Sequence, residues 1–363
     1  QIAKKLMSLG HKVIVERQAG YSSGYTDDEY LTLGVKMKDS PYEIVQEADL
    51  VVKIKEPVPA EYYWLDLFKE KTLFTYLHLS GVEKSLTKKL LENKITGIAY
   101  ETVSKDGRLP LLAPMSQVAG VLAVQYGAHY LQKKHGGVGM TLGHIDGADS
   151  ALTVIIGGGF VGKTAALTAG GMGGKVVVLD INSKVVARLK KELKKHLGPM
   201  LSKNVSVELS TPQSIKHYVS HADLLIGAVL VPGTKAPQVV SKELISGMKQ
   251  GAVIVDVAID QGGCIWGSRP TTHRHPIYDL DSKIFCCITN MPGQVARQST
   301  QALTSQTFPY LVEMAKYGVL KALKRDPALC KGLNTYKGKI AYEAVARDLG
   351  MMESYVPAEK LLK

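Results

Sequence analysis

The chain has 363 residues, more than one core comfortably holds, so two domains are expected. Hydrophobic residues make up 45% and charged residues 21%, the balance of an ordinary globular protein, and no apolar run reaches the length of a membrane span, which excludes the membrane as a partner. The formal charge of +12 is spread over lysines that are densest from Lys184 to Lys203, with no aromatic-interleaved basic patch; nucleic acid is therefore excluded, and the charge reads as surface composition that helps attract anionic small molecules. The opening reads as a helix ending at Gly10 and feeding a strand, His11 to Glu16. Such a helix usually follows a strand in an α/β sheet, so a first strand is expected ahead of residue 1. Strands then alternate with helices: Leu50 to Lys55, Thr72 to His78, a helix near Glu83 to Glu92, and Thr96 to Tyr100. Ser116 to Lys133 reads as a long helix joining two domains, with Gly120, Ala123 and Gly127 on a small-residue face that lets another element approach closely.

The most informative stretch runs from Thr153 to Asp180. A β-branched apolar run ends in Gly157-Gly158-Gly159-Phe160-Val161-Gly162, a small-residue helix follows, and a second apolar strand ends on Asp180, eighteen positions after Gly162. Glycine alone is common in loops, but strand, helix, second strand and acid at these spacings together mark a dinucleotide site. Gly157 makes the tight turn, Gly159 lets backbone approach a pyrophosphate, and Gly162 lets the helix pack on the strand, with the pyrophosphate on free N–H groups at the helix start. Asp180 accepts the ribose 2′-OH and repels a 2′-phosphate, which favours NAD over NADP. Three further apolar strands follow, Ala222 to Leu230, Ala252 to Ile259 and Lys283 to Ile288, whose C-terminal ends are expected to line the cofactor crevice. From Thr300 the tail reads as helical and, too short to fold alone, returns to the first domain. Four cysteines, Cys264, Cys286, Cys287 and Cys330, lack C-x-x-C spacing and read as free thiols in a reducing, cytoplasmic compartment.

Three polar positions fall where strands end: Lys55 before Glu56-Pro57, His78 closing Leu73 to His78, and Asp260 before Gln261-Gly262-Gly263. Each alone has a bland reading as surface lysine, hydrogen-bonded histidine or turn cap. Together they supply a cation, an acid/base near neutral pH and a carboxylate, the set a keto acid needs.

The segments V-K-I-K-E-P, L-F-T-Y-L-H-L, I-A-Y-E-T-V, L-L-A-P-M-S-Q-V-A-G, the glycine loop, V-L-D-I-N, D-L-L-I-G-A-V-L-V-P-G, D-V-A-I-D-Q-G-G-C and N-M-P-G resemble those of the alanine dehydrogenases, relatives of transhydrogenase subunit domains, from Gly10 to about Leu349. The resemblance implies two Rossmann-like doubly wound α/β domains with an interdomain cleft: residues 1–127 plus 300–363 for substrate, 128–299 for NAD. It implies reversible, NAD-dependent oxidative deamination of L-alanine to pyruvate and ammonia, and a homohexamer or dimer. Residue by residue, Lys55 matches the lysine that holds the substrate, His78 the acid/base and Asp260 the second catalytic carboxylate. Met115 and Ser116 match residues beside substrate and nicotinamide. Gly157, Gly159, Phe160, Val161, Gly162, Asp180, Ser210, Val229, Leu230, Val257, Ala258, Ile259, Asp260, Arg269, Ile288, Thr289, Asn290 and Met291 match the cofactor wall. The family opens with a strand and a carboxylate-clamping arginine that precede residue 1 here, and Ala296 stands where a proline is usual. Two rivals share the nucleotide fold: a transhydrogenase-type domain and a non-catalytic NAD-binding protein.

Overall fold

In a computed structural model, residues 2–229 and 235–363 are described. The chain forms two compact units, residues 2–114 with 295–363, and residues 115–229 with 235–294. In the first unit β1 (Ile14–Glu16) and β2 (Lys36–Lys38) pair in parallel as a small separate sheet. Strands β3 (Leu50–Val52), β4 (Thr72–Thr75) and β5 (Thr96–Ala99) pair in parallel over a core of Trp64, Phe68, Leu73, Leu77, Leu86 and Leu90. Helix Lys84–Glu92 sits on this core because Leu86 and Leu90 lie one turn apart on a single face. The strands end earlier than the apolar runs suggest. The chain bends at Ile54 and Lys55 ahead of buried Pro57, and His78 takes a positive φ of 46° that no strand accommodates. Lys55 and His78 therefore stand in loops beyond the strand ends.

The second unit contains β6 (Leu152–Ile156), β7 (Lys175–Asp180), β8 (Val205–Leu209), β9 (Leu224–Gly227), β10 (Val253–Asp256), β11 (Tyr278–Leu280) and β12 (Lys283–Cys286). Their spatial order is β11-β12-β10-β9-β6-β7-β8, and β11 is its one antiparallel member. This is a doubly wound sheet whose order reverses between β6 and β9, the place where such sheets bind ligands.

Helix Ala113–Tyr130 follows the expected small-residue face closely. A Cβ at Gly120 would lie 2.5 Å from the Val161 carbonyl oxygen, and one at Gly127 2.5 Å from Leu224 Cδ2. These contacts tie the helix to the second unit, so the units divide at 114/115 and 294/295 rather than at 127/128 and 299/300. The tail, expected to be helical, begins with helix Ala296–Tyr317 but also carries β13 (Leu333–Tyr336) and β14 (Lys339–Ile340). Strand β13 runs antiparallel to β5, giving the first unit the order β14-β13-β5-β4-β3. Its polar residues are buried and paired across the sheet: Thr335 Oγ1 accepts from the Gly97 N–H at 3.1 Å and donates to the Ile95 carbonyl at 2.9 Å. Those partners are remote in sequence, which is why Leu-Asn-Thr-Tyr carries no alternation to betray a strand. Among the described residues no helix is long and apolar enough to cross a membrane. The four cysteines are free thiols, three of them buried.

Candidate active site

Strand β6 runs into Gly157 at φ 106°, where a Cβ would lie 2.5 Å from the Ala228 carbonyl oxygen, so only glycine turns the chain here. Gly162, in the first turn of helix Phe160–Gly171, packs so near the strand end that a Cβ would overlap the Gly157 carbonyl oxygen. Gly159 is the contrast: a Cβ there meets nothing within 4 Å. It is the N-cap of that helix, without a side-chain cap or an acidic residue in the first turn, which leaves N–H groups and open space for an anionic group. At the end of β7, Asp180 accepts the Gly158 N–H at 2.7 Å through one oxygen and the Asn182 N–H at 2.8 Å through the other. The Ala228 N–H donates to the Ile156 carbonyl at 2.8 Å, which brings Val229 beside Gly157, and the Ser210 N–H donates to the Asp180 carbonyl at 2.9 Å. Leu230 lies outside the described residues.

The run from Ala252 stops as a strand at Asp256, because the buried Asp256 carboxylate collects the chain that follows into a turn. It accepts N–H groups from Ala258 at 3.0 Å, Cys264 at 2.8 Å and Ile265 at 3.1 Å, and the Ser268 hydroxyl at 2.7 Å. The resulting 3-10 turn, Val257–Gln261, buries Ala258 and Ile259 and leaves Asp260 exposed. Asp260 accepts the Asn290 N–H at 3.3 Å, and Asn290 is itself exposed with φ 52°. Ile288 and Met291 are buried, as are Ala258 and Ile259. Thr289 bonds the Thr271 carbonyl through both its N–H, at 3.2 Å, and its hydroxyl, at 3.4 Å. The exposed Arg269 guanidinium lies 4.2 Å from the Tyr278 ring centre. Phe160 is exposed, and Met115 and Ser116 are half-buried in the first turn of helix Ala113–Tyr130.

In the first unit, Lys55 and His78 come together at the C-terminal ends of β3 and β4. The Thr75 hydroxyl donates to the Lys55 carbonyl at 3.1 Å and ties the two loops. Glu101, in the 3-10 turn Tyr100–Thr102 after β5, accepts the Leu77 N–H at 3.2 Å and the His78 N–H at 2.6 Å, holding His78 in its left-handed backbone. The imidazole stacks on Tyr76, with ring centres 5.5 Å apart and planes 17° from parallel, and the Tyr76 hydroxyl donates to the Leu111 carbonyl at 2.6 Å. His78 Nδ1 lies 2.8 Å from a Glu56 carboxylate oxygen, while about a third of the side chain stays exposed. Burial pulls the His78 pKa down, but the Glu56 hydrogen bond and the charges of Glu101 and Glu56 outweigh it and the opposing Lys55, so the pKa rises above 6.5. Burial pushes Glu56 up, yet the bond and charge of His78, with Lys55, hold it below the usual 4.5.

Glu56, Glu101 and Asp256 are the residues that sequence reading misses as functional candidates. Each lies in a segment already singled out, K-I-K-E-P, I-A-Y-E-T-V and D-V-A-I-D, and each is an acid at or just past a strand end.

Residues 1–119 match the alanine dehydrogenase/PNT N-terminal domain and residues 123–343 the alanine dehydrogenase/PNT C-terminal domain. The chain is 47% identical to the alanine dehydrogenase of Methanococcus maripaludis over 356 residues, 97% of this chain and 92% of that protein. A solved L-alanine dehydrogenase is similar at a TM-score of 0.86 and 42% identity, covering 96% of this chain and 93% of that one. The transhydrogenase of Sinorhizobium meliloti shares the fold at a TM-score of 0.75 and 21% identity, covering 94% and 93%. The chain belongs to the alanine dehydrogenase/PNT family.

Proposed function

We infer that the protein is an L-alanine dehydrogenase that interconverts L-alanine with pyruvate and ammonia, and that it uses NAD. The observation that carries this over a transhydrogenase-type domain is the cluster of Lys55, Glu56 and His78, which a domain passing hydride only between nucleotides does not need. The glycine loop fits a dinucleotide: its helix start is uncapped and free of acids, and the space at Gly159 is open. When bound, the nicotinamide supplies the hydride acceptor and donor. Asp180, Ser210, Val229 and the turns at 257–260 and 288–291 would hold the cofactor. Lys55 neutralises the substrate carboxylate and polarises the keto oxygen. His78, with its pKa above 6.5, keeps its proton through more of the neutral range; it gives that proton to the keto oxygen in the reductive direction and recovers it in the other. Asp260 orients the water or ammonia that exchanges keto for amino group, and Met115 and Ser116 flank the substrate. A cytoplasmic homo-oligomer, hexamer or dimer, belongs to the same reading and is checked by light scattering.

The test is reduction of NAD on addition of L-alanine, followed by absorbance, with His78→Ala alongside. Turnover in the wild type, reduced about a hundredfold or more in the variant while NADH affinity holds, supports the reading. NADH binding without alanine turnover in the wild type favours the rivals.

A further inference from the structure

Two carboxylates, Glu56 and Glu101, sit against His78 without a part in the reaction steps above. We propose that Glu56 is a positioning residue for His78: by accepting the Nδ1 proton it fixes one tautomer and makes Nε2 the nitrogen that trades protons with substrate. The proposal rests on the reading of His78 as acid/base.

Three restraints on one side chain support it. Glu101 holds the backbone at φ 46° by accepting the His78 N–H at 2.6 Å. Tyr76 fixes the plane of the ring by stacking 5.5 Å away, and is itself anchored through its hydroxyl to the Leu111 carbonyl at 2.6 Å. Glu56, 2.8 Å from Nδ1, fixes the rotation of the ring within that plane. The two ring nitrogens point in opposite directions, so a ring bonded to Glu56 through Nδ1 directs Nε2 away from it.

The chemical consequence follows from imidazole alone. A neutral ring with its proton on Nδ1 presents a lone pair at Nε2 and serves as a base; the protonated ring presents an N–H there and serves as an acid. Both directions of a reversible reaction then use the same nitrogen while Nδ1–H stays on Glu56. Without the carboxylate, the neutral ring also populates the Nε2–H tautomer, which offers no base on the substrate side. The charged groups coupled to His78 are Glu56, Glu101 and Lys55, so removing Glu56 leaves one acid and one cation whose influences oppose.

The experiment uses the full chain as Glu56→Gln, Glu56→Asp and wild type. Nitrogen-15 spectra of histidine-labelled protein, with the His78 signals assigned by their loss in His78→Ala, read tautomer and titration directly. The expected result is an Nδ1–H tautomer in wild type, a mixed tautomer and a lower titration midpoint in Glu56→Gln, and partial return in Glu56→Asp. The acidic limb of the kcat profile should move to lower pH in Glu56→Gln, with kcat down roughly tenfold or more and the KM for NAD unchanged. A His78 tautomer and midpoint identical in wild type and Glu56→Gln overturn the proposal; if Glu56→Gln does not fold, an unaltered His78 in Glu56→Asp, whose shorter side chain lengthens and weakens the 2.8 Å contact, does the same. Wild-type protein that lacks alanine turnover but shows the shifted tautomer sinks the reaction reading and with it the catalytic part of the proposal, leaving the pairing established.

Discussion

Asp180 meets two demands with one carboxylate. One oxygen holds the Gly158 N–H of the glycine loop at 2.7 Å, and the other holds the Asn182 N–H at 2.8 Å, so the residue proposed to accept the ribose hydroxyl also shapes the glycine loop. Asp180→Ser is therefore expected to do more than relax selection against a 2′-phosphate. NADH affinity should fall by about 1–3 kcal/mol, the worth of a charge-assisted hydrogen bond, while NADPH binding rises relative to it. Fluorescence titration with both reduced cofactors checks this. Unchanged NADH affinity would show that the Gly158 contact is dispensable, and tighter NADPH than NADH binding in the wild type would overturn the preference itself. At this scale the sequence is legible only in part: Asp180 is visible because the strand-helix-strand motif fixes its spacing from the glycine loop, whereas no such motif couples Glu56 to His78, although the separation of 22 residues is the same as that between Gly158 and Asp180.

Among the elements, the glycine loop, helix Phe160–Gly171 and helix Ala113–Tyr130 form one tightly packed assembly whose close approaches depend on missing side chains. Gly120→Val should force apart helices whose backbone already stands 2.5 Å from a Cβ position, destabilising the fold by about 1–3 kcal/mol in denaturant unfolding. Gly171 ends the same helix as Gly162, but a Cβ there meets nothing within 4 Å. Gly171→Ala is accordingly expected to be neutral or stabilising by about 0.4–1 kcal/mol, through a less flexible unfolded chain. Equal losses in both variants would show that glycine matters here for backbone conformation rather than for space.

Across the whole molecule, ionisable groups with displaced pKa values set the pH range of stability. Glu47 is held down to about 2 by hydrogen bonds to Lys12 and Lys36, Asp66 is lowered by Lys89 and Asn93, and Glu192 by Lys163. Depressed carboxylates stabilise above their unfolded values, 4.5 for Glu and 3.8 for Asp, and that contribution is lost as pH falls through the folded values. His78 has the opposite sign: raised above 6.5, its contribution is complete below 6.5 and disappears as pH rises through the folded value. The melting temperature is therefore expected to fall as pH drops from about 4.5 toward 2, most of all through Glu47. Because the Lys12 and Lys36 partners of Glu47 are exposed, this acid limb should flatten in high salt. Melting curves at low and high ionic strength across that range decide it; an acid limb insensitive to salt would place the effect in half-buried groups such as Glu56.

The sequence by itself determined the second unit's opening strand, glycine turn, helix, second strand and acid, and singled out three polar residues that lie in the loops and turn beyond strand ends. Those features are short-range: glycines required by backbone conformation or by contact between consecutive elements, and apolar runs whose period reports burial. Tertiary structure alone decided the rest. The reversal of strand order between β6 and β9 comes from which edges pair. The paired strand β13 exists because Thr335 and Asn334 find partners in Ile95, Gly97 and Thr102, far back in the chain. The same holds for the groups that aim the candidate catalytic residues: Glu56 on His78, Glu101 on the backbone of Leu77 and His78, and Asp256 on the turn that exposes Asp260. A carboxylate has no periodicity, and its meaning depends on which donors the fold brings within about 3 Å of it, so position in the chain cannot announce it.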